Sequence, residues 1–498
     1  MSAGEDLLEL EVGTVAHGGH CVARHEGRVV FVRHALPGER VRARLTEAAE
    51  GAGYWRADAV EVLRASPDRV EPACPVARPG SCGGCDWQHA APAAQRRLKT
   101  EVLREQMHRL AGLEVDAEVE EVPVPSGTGT TPEDAARGLG WRTRVTYAAD
   151  DAGRLGFRAH REHRVVPVEA CPIATPGVVD LGLPQRRWTG WRAVEAVVPG
   201  GGAGGALVVA EPRGAGAPAP APEDGGGRGA TGRPALPDLP PLPAGVSVAT
   251  APPRGPRRQP PGAPRRVSGR TWVREEVGDR AFRVTGAGFW QVHPGAGAVL
   301  TEAVLGALEP RSGERALDLY SGAGLLTAAL AGAVGPAGAV TAVEGDARAV
   351  ADARRNLHDL PQVRLLHGPV LRVLEQAQDG QVQDGQVQHG RAQGAGVDDA
   401  RARGARRGSV DGRRAGEGPP RADLVVLDPP RTGARAGVVR AVAARRPRAV
   451  AYVACDPAAL ARDVAVFAGE GYALAGLRAF DLFPSTHHLE AVALLVPR

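Results

Sequence analysis

A chain of 498 residues that is 43% hydrophobic has length for two to four domains and can bury a sizeable core. No apolar run approaches the roughly 20 residues of a membrane span. The acidic start MSAGEDLLELEVG lacks the basic and apolar regions of a secretion signal, so a cytoplasmic protein with no membrane partner is expected; the chain is also expected to be a monomer. The 61 Lys and Arg nearly cancel the 57 Asp and Glu, so net charge does not announce a nucleic-acid partner. Lys99 is the single lysine. A GC-rich coding sequence is the plain cause of so much arginine, although arginine also suits bidentate phosphate contacts.

In chain order, residues 6–64 alternate apolar and polar at period two between turns at Gly18–Gly19, Pro37–Gly38 and Gly51–Gly53, which predicts a closed β-barrel of about 60 residues. Such barrels often bind oligonucleotides. A cysteine cluster fills 70–90, and a helix follows over Pro92–Leu110 with Leu98, Val102, Leu103, Met107 and Leu110 on one face. Residues 140–172 read as a hairpin about Asp150–Gly153 whose arginines, Arg142, Arg144, Arg158, Arg161 and Arg164, could meet phosphates. Residues 196–268 are mostly Gly, Ala, Pro and Arg, so much of this stretch is expected to be disordered, with short strands at ALVVAE and VSVAT. From about residue 296 strands and helices alternate, interrupted by a second biased stretch at about 376–420, and the pattern predicts a doubly wound, mostly parallel α/β sheet.

Chemistry gathers at the ends of those strands. Asp318-Leu-Tyr-Ser-Gly322-Ala-Gly324 follows the first one, and Glu344 ends the next, 22 residues past Gly322. A Gly-rich first turn with an acid at about that distance suits a nucleoside such as S-adenosylmethionine (SAM), although a Gly-rich turn alone is common in α/β proteins. Asp428-Pro-Pro-Arg431 ends a later strand and does not by itself select an acceptor. Cys455 directly follows AVAYVA. A lone cysteine is ordinarily packing, but its strand-end position and a following helix N-terminus that would favour thiolate point to catalysis. In Asp481-Leu-Phe-Pro-Ser-Thr-His-His-Leu-Glu490, the acid reads as a positioned base. Metal binding by His487, His488 and Glu490 lacks partners at suitable spacing. Cys74, Cys82, Cys85 and Cys171 are four thiols able to hold zinc or an iron–sulfur cluster.

The segments FWQVHPGAGAVL, LDLYSGAGLLT, VEGDARAVADARRNL, LVVLDPPRTG, YVACDPAALARD and FPSTHHLEAVALL, in this order, resemble the RNA uridine-5-methyltransferases that act on tRNA and 23S rRNA. The likeness covers about 281–498 without the 376–420 stretch. The N-terminal barrel resembles the TRAM RNA-binding domain, and SCGGCDWQH resembles the iron–sulfur motif of the 23S rRNA branch. The resemblance implies that Gln291, Tyr320, Gly322, Glu344 and Asp428 bind SAM. It implies Cys455 as nucleophile and Glu490 as base, and a [4Fe–4S] cluster rather than zinc on Cys74, Cys82, Cys85 and Cys171.

Departures from the family pattern are Ala454 and Asp456 where Ser and Asn are usual, Tyr320-Ser321 in place of an aromatic-Cys pair, Leu325 for an Asn, and Pro369 where an Asn sometimes meets the adenine.

The expected organisation is a TRAM-like barrel (1–66), a central β-rich domain with the cluster cysteines (67–285), and a Rossmann-like methyltransferase domain (286–498). The expected partner is RNA with a flipped target uridine. A SAM enzyme with another acceptor and a noncatalytic iron–sulfur RNA-binding protein are the competing expectations. Cys455 with Glu490 separates the first from the former, because methylation of an amino group needs no thiol.

Overall fold

The computed structural model describes residues 7–49, 51–201, 204–214, 236–252, 263–376 and 421–498. The whole of 377–420 and much of 196–268 lie outside the described residues, as does the expectation of disorder there.

The alternating N-terminal segment closes into a barrel of β1 (Leu7–Val15), β2 (Cys21–His25), β3 (Arg28–Arg33), β4 (Arg40–Glu47) and β5 (Tyr54–Arg64), in the order β1-β2-β3-β5-β4. Pairing of β1 with β4 completes it. Leu10, Val12, Val30, Val32 and Val41 turn inward and are almost unexposed, each such side chain contributing roughly 1.5–3 kcal/mol by burial. Cys21 belongs to this core.

Helix α1 (Pro92–Gln106) starts with Pro at its first turn, where no N–H is needed. It continues as a π-helical turn over Met107–Ala111. Its apolar face serves two cores. Leu98 and Val102 enter the barrel, while Leu103 and Met107 enter the C-terminal sheet's core. Next come β6 (Val119–Glu121), α2 (Pro132–Ala136), β7 (Arg144–Ala149), β8 (Leu155–Arg158), β9 (Val165–Pro167), α3 (Pro176–Val179), β10 (Trp191–Val197), β11 (Leu207–Pro212), β12 (Ser247–Thr250) and β13 (Arg265–Ser268). A seven-stranded sheet runs β13-β12-β11-β10-β7-β8-β9. The expected hairpin is β7–β8, and ALVVAE and VSVAT form β11 and β12, paired in parallel. A separate hairpin joins β14 (Trp272–Val277) to β15 (Arg280–Thr285).

The C-terminal part is α4 (Ala296–Leu308), β16 (Arg315–Leu319), α5 (Leu325–Val334), β17 (Ala339–Glu344), α6 (Ala347–Asn356), β18 (Val363–His367), α7 (Val370–Gln376), β19 (Leu424–Leu427), α8 (Arg435–Ala443), β20 (Ala449–Ala454), α9 (Pro457–Gly469), β21 (Tyr472–Asp481) and β22 (Glu490–Pro497). Its sheet order is β18-β17-β16-β19-β20-β22-β21-β6. The first five strands are parallel, and β22 enters antiparallel between β20 and β21. Every residue of β19 and β20 is buried, as expected of strands covered on both faces. Strand order reverses between β16 and β19, and in open α/β sheets ligands bind at such a reversal, beyond the strand ends. No described helix is long and apolar enough to cross a membrane.

Candidate active site

Three acids meet at the reversal. Asp318, on β16, is unexposed and accepts a short bond from Thr327 Oγ1 of α5. Its other oxygen has no partner among the described residues. Burial pushes this carboxyl up to about 7 against the bond from Thr327, and the nearby Glu344 adds to the rise. Asp428, just past β19, is likewise raised to about 7 by burial and by the charges of Asp318 and Glu344. Glu344 ends β17, and its two oxygens accept Gly322 N–H at 2.9 Å and Asp346 N–H at 2.7 Å. Tyr320 turns out of β16 with φ +66°, a left-handed backbone that is costly for a residue with a Cβ. Its N–H donates to Val343 O at 2.9 Å. Gln291 lies in the link between β15 and α4 and is partly buried.

The loop after Asp428 is fixed from α9. Asp463 Oδ2 accepts Ala434 N–H at 2.7 Å and the Tyr452 hydroxyl at 2.5 Å. Gly433 (φ +78°) lies so near that an added Cβ would stand 2.7 Å from that oxygen. This brings Arg431 toward Cys455, where its charge opposes the rise of the thiol pKa.

Cys455 and Glu490 are brought together. They sit at the ends of antiparallel neighbours β20 and β22, whose adjacent residues Ala454 and Ala491 pair directly. Glu490 is 2% exposed, and burial, then Asp428, holds its carboxyl well above the usual carboxylate range. Burial, then Glu490, pushes the Cys455 thiol up to about 12. The net shift is upward, opposite to the lowering expected from the helix N-terminus, because burial and the neighbouring acids outweigh it. Asp456 is the N-cap of α9, accepting Ala459 N–H at 2.7 Å, and its own negative charge adds to the rise.

A wall of this site comes from the barrel. A cleft of about 10 Å³ is lined by His17, Gly18 and Gly19 from the β1–β2 turn and by Cys455, Asp456, His487 and His488. His17 Nε2 meets Asp456 Oδ2 at 3.0 Å, and His487 Nδ1 meets Asp86 Oδ2 at 2.6 Å. Gly19 (φ +80°) leaves 2.7 Å between an added Cβ and His487 Cβ. Sequence reasoning missed His17, because nothing in its local pattern links it to a helix 439 residues away. Arg431 was legible, since it follows the two prolines of a motif already singled out. Arg144 is corrected as a phosphate contact. It is 5% exposed and its guanidinium donates to Gly288 O.

Cys74, Cys82, Cys85 and Cys171 line one largely apolar cavity of about 40 Å³. Gly84 N–H donates to Cys82 Sγ at 3.4 Å and Gln88 Nε2 to Cys85 Sγ at 3.4 Å. Burial raises the Cys82 and Cys85 thiols and takes Cys171 to about 11. Among the described residues no group of three or more His, Cys, Asp or Glu side chains is arranged to hold a metal ion.

Comparison with known proteins joins these parts. Residues 7–60 match the TRAM domain profile and 421–498 the tRNA (uracil-5-)-methyltransferase profile. A Streptomyces avermitilis protein named as an RNA methyltransferase is 46% identical over 496 residues, covering 99% of both chains. The chain belongs to the RNA methyltransferase family, uracil-5 type. A second relative of the methyltransferase, from Streptomyces coelicolor and also named as an RNA methyltransferase, is 44% identical, covering 99% of this chain and 93% of its own. Residues 294–382 of the methyltransferase also match the profile of protein-L-isoaspartate O-methyltransferases, which spans its first βα units. Its fold is that of the Pyrococcus abyssi tRNA (uracil-54, C5)-methyltransferase solved with S-adenosyl-L-homocysteine, with TM-score 0.64, 20% identity, and 98% of this chain and 100% of the other covered.

Proposed function

We propose that the methyltransferase forms 5-methyluridine in RNA through a covalent bond between Cys455 and C6 of the target uridine, with Glu490 removing the C5 proton. The observation that carries this reading is the pairing of β20 with β22, which sets a nucleophile and a carboxyl side by side at the ligand-binding edge of the sheet. C5 of uracil is a poor nucleophile. Addition of the Cys455 thiolate at C6 turns the ring into an enolate, and C5 then takes the methyl group. Loss of the C5 proton to Glu490 restores the double bond as the thiolate departs. Burial and Asp428 raise Glu490, so once ionised it is a stronger base than an ordinary carboxylate. Arg431 is the cation that favours both anions.

SAM supplies an electrophilic methyl group when bound. Tyr320, Gly322, Glu344 and Asp428 surround the reversal where it would lie, and Gln291 would approach from the β15–α4 link. Glu344 suits ribose hydroxyls at the end of β17, and the orphaned Asp318 oxygen leaves a buried acceptor in that edge.

From the resemblance of SCGGCDWQH we propose that the four cysteines hold a [4Fe–4S] cluster, and they line one apolar cavity in which Gly84 N–H donates to Cys82 Sγ and Gln88 Nε2 to Cys85 Sγ. Cys74, Cys82, Cys85 and Cys171 would hold it, in a structural part, since methyl transfer needs no redox step. Anaerobically purified protein is expected to carry iron and sulfide at about four each per chain. A colourless protein with stoichiometric zinc would contradict this.

The test of the activity is nucleoside mass spectrometry of tRNA and rRNA from a deletion strain. One 5-methyluridine is expected to vanish and to return with the wild-type gene but not with Cys455→Ala. Full restoration by Cys455→Ala would overturn the proposal.

A further inference from the structure

Beside the Cys455 cleft, the barrel turns an aromatic and cationic face outward. Phe31 on β3 and Arg56 on β5 are register partners, and Tyr54 lies two residues before Arg56 on the same face. Neither ring belongs to the barrel core, whereas the alternate residue Trp55 packs against it. Tyr54 is 47% exposed, with its ring 5.3 Å from that of Phe31, edge to face. The Arg56 guanidinium stands 5.3 Å from the Tyr54 ring and 5.7 Å from the Phe31 ring. Arg56 also pairs with Glu47, which pairs in turn with Arg161.

This face is continuous with the active site. His20 sits 6.3 Å from the Phe31 ring and 3.4 Å from Arg56, and it directly follows the Gly18–Gly19 turn that walls Cys455. We infer that Phe31, Tyr54 and Arg56 form a stacking subsite for an unpaired nucleotide adjacent to the target uridine. An exposed ring takes any base face, a nearby guanidinium meets the phosphate, and flipping the target leaves its neighbour without a stacking partner. The inference rests on the RNA reading above, and it goes beyond it in assigning the contact and its chemistry.

The experiment uses full-length protein, tritiated SAM and total RNA from a deletion strain. Tyr54→Ala and the double variant Phe31→Ala/Tyr54→Ala are expected to raise the KM for RNA at least about fivefold, with kcat and SAM affinity within twofold. Tyr54→Trp should retain wild-type KM, because a larger ring still stacks. Arg56→Gln should lower the slope of log affinity against log salt by about one, whereas Tyr54→Ala leaves that slope unchanged. Unchanged KM in both alanine variants, with normal wild-type turnover, overturns the subsite alone. No methylation of RNA by the wild type overturns the RNA reading on which it rests. Unchanged SAM affinity confirms that the variants fold.

Discussion

Besides its contact with His17, Asp456 acts on the site in two ways. It caps α9 through Ala459 N–H, and it sets a negative charge beside Cys455. Asn caps as well as Asp, so Asp456→Asn keeps the helix start and removes the charge. Alkylation of Cys455 by iodoacetamide, followed by peptide mass spectrometry against pH, should then shift to lower pH. An unchanged profile would mean that burial and Glu490 alone set the thiol.

Asp318 and Asp428 couple SAM binding to pH. Both are raised to about 7 in the free protein, so near neutral pH each is partly protonated. A cationic ligand favours the ionised form, lowers these values and expels protons. SAM affinity should therefore rise as pH goes from about 6 to 8, with proton release visible in calorimetry across buffers of different ionisation heat. S-adenosyl-L-homocysteine, which lacks the sulfonium charge, should show a smaller dependence. Equal dependence for the two ligands would remove the acids from this role.

At the scale of elements, Lys99 explains how the loop before Glu490 is held. The only lysine of the chain is buried on α1, with Nζ donating to Asp481 at 2.6 Å and to Phe483 O at 3.1 Å. Removing one partner of such a pair strands the other charge and costs about 3–5 kcal/mol. Lys99→Ala should lower the melting temperature by several degrees and reduce kcat more than SAM affinity; wild-type melting would contradict this role for the pair.

The doubly wound half was legible because each strand is a short apolar run and each motif follows one. The β6 strand was not. Val119–Glu121 is three residues long and becomes a strand only by pairing with Ala479–Asp481, a contact without a local signal. The β14–β15 hairpin could have been read, since WVREEV and RAFRVT alternate about Gly278–Asp279. Cys455 and Glu490 were legible as strand-end residues, but the sign of the thiol's shift was not, because burial and the convergence of Glu490, Asp428 and Asp456 are products of the fold.

For the whole molecule, the barrel does more than sit beside the catalytic sheet. Trp87 Nε1 donates to Gly19 O at 3.0 Å, Trp87 N–H donates to Ser485 O at 2.9 Å, and α1 contributes to both cores. The cleft beside Cys455 is therefore assembled from both ends of the chain. Gly19→Val would set a side chain against His487 at a left-handed position. It should lower RNA methylation at least about tenfold while SAM affinity stays near wild type, since the clash falls on the cleft beside Cys455 and not on the Asp318–Glu344 edge. Unaltered methylation would mean that the barrel turn does not shape the pocket.

The bond between Cys455 and uridine C6 is tested by fluorine at C5, because fluorine cannot leave as a proton. RNA from a deletion strain grown with 5-fluorouracil, incubated with SAM and the methyltransferase, should give a denaturation-stable protein–RNA complex. Its link should map to the Cys455 peptide, and Cys455→Ala should give none. A complex that forms equally with Cys455→Ala, or normal 5-methyluridine formation in unsubstituted RNA without any complex in the fluorinated RNA, would contradict the account.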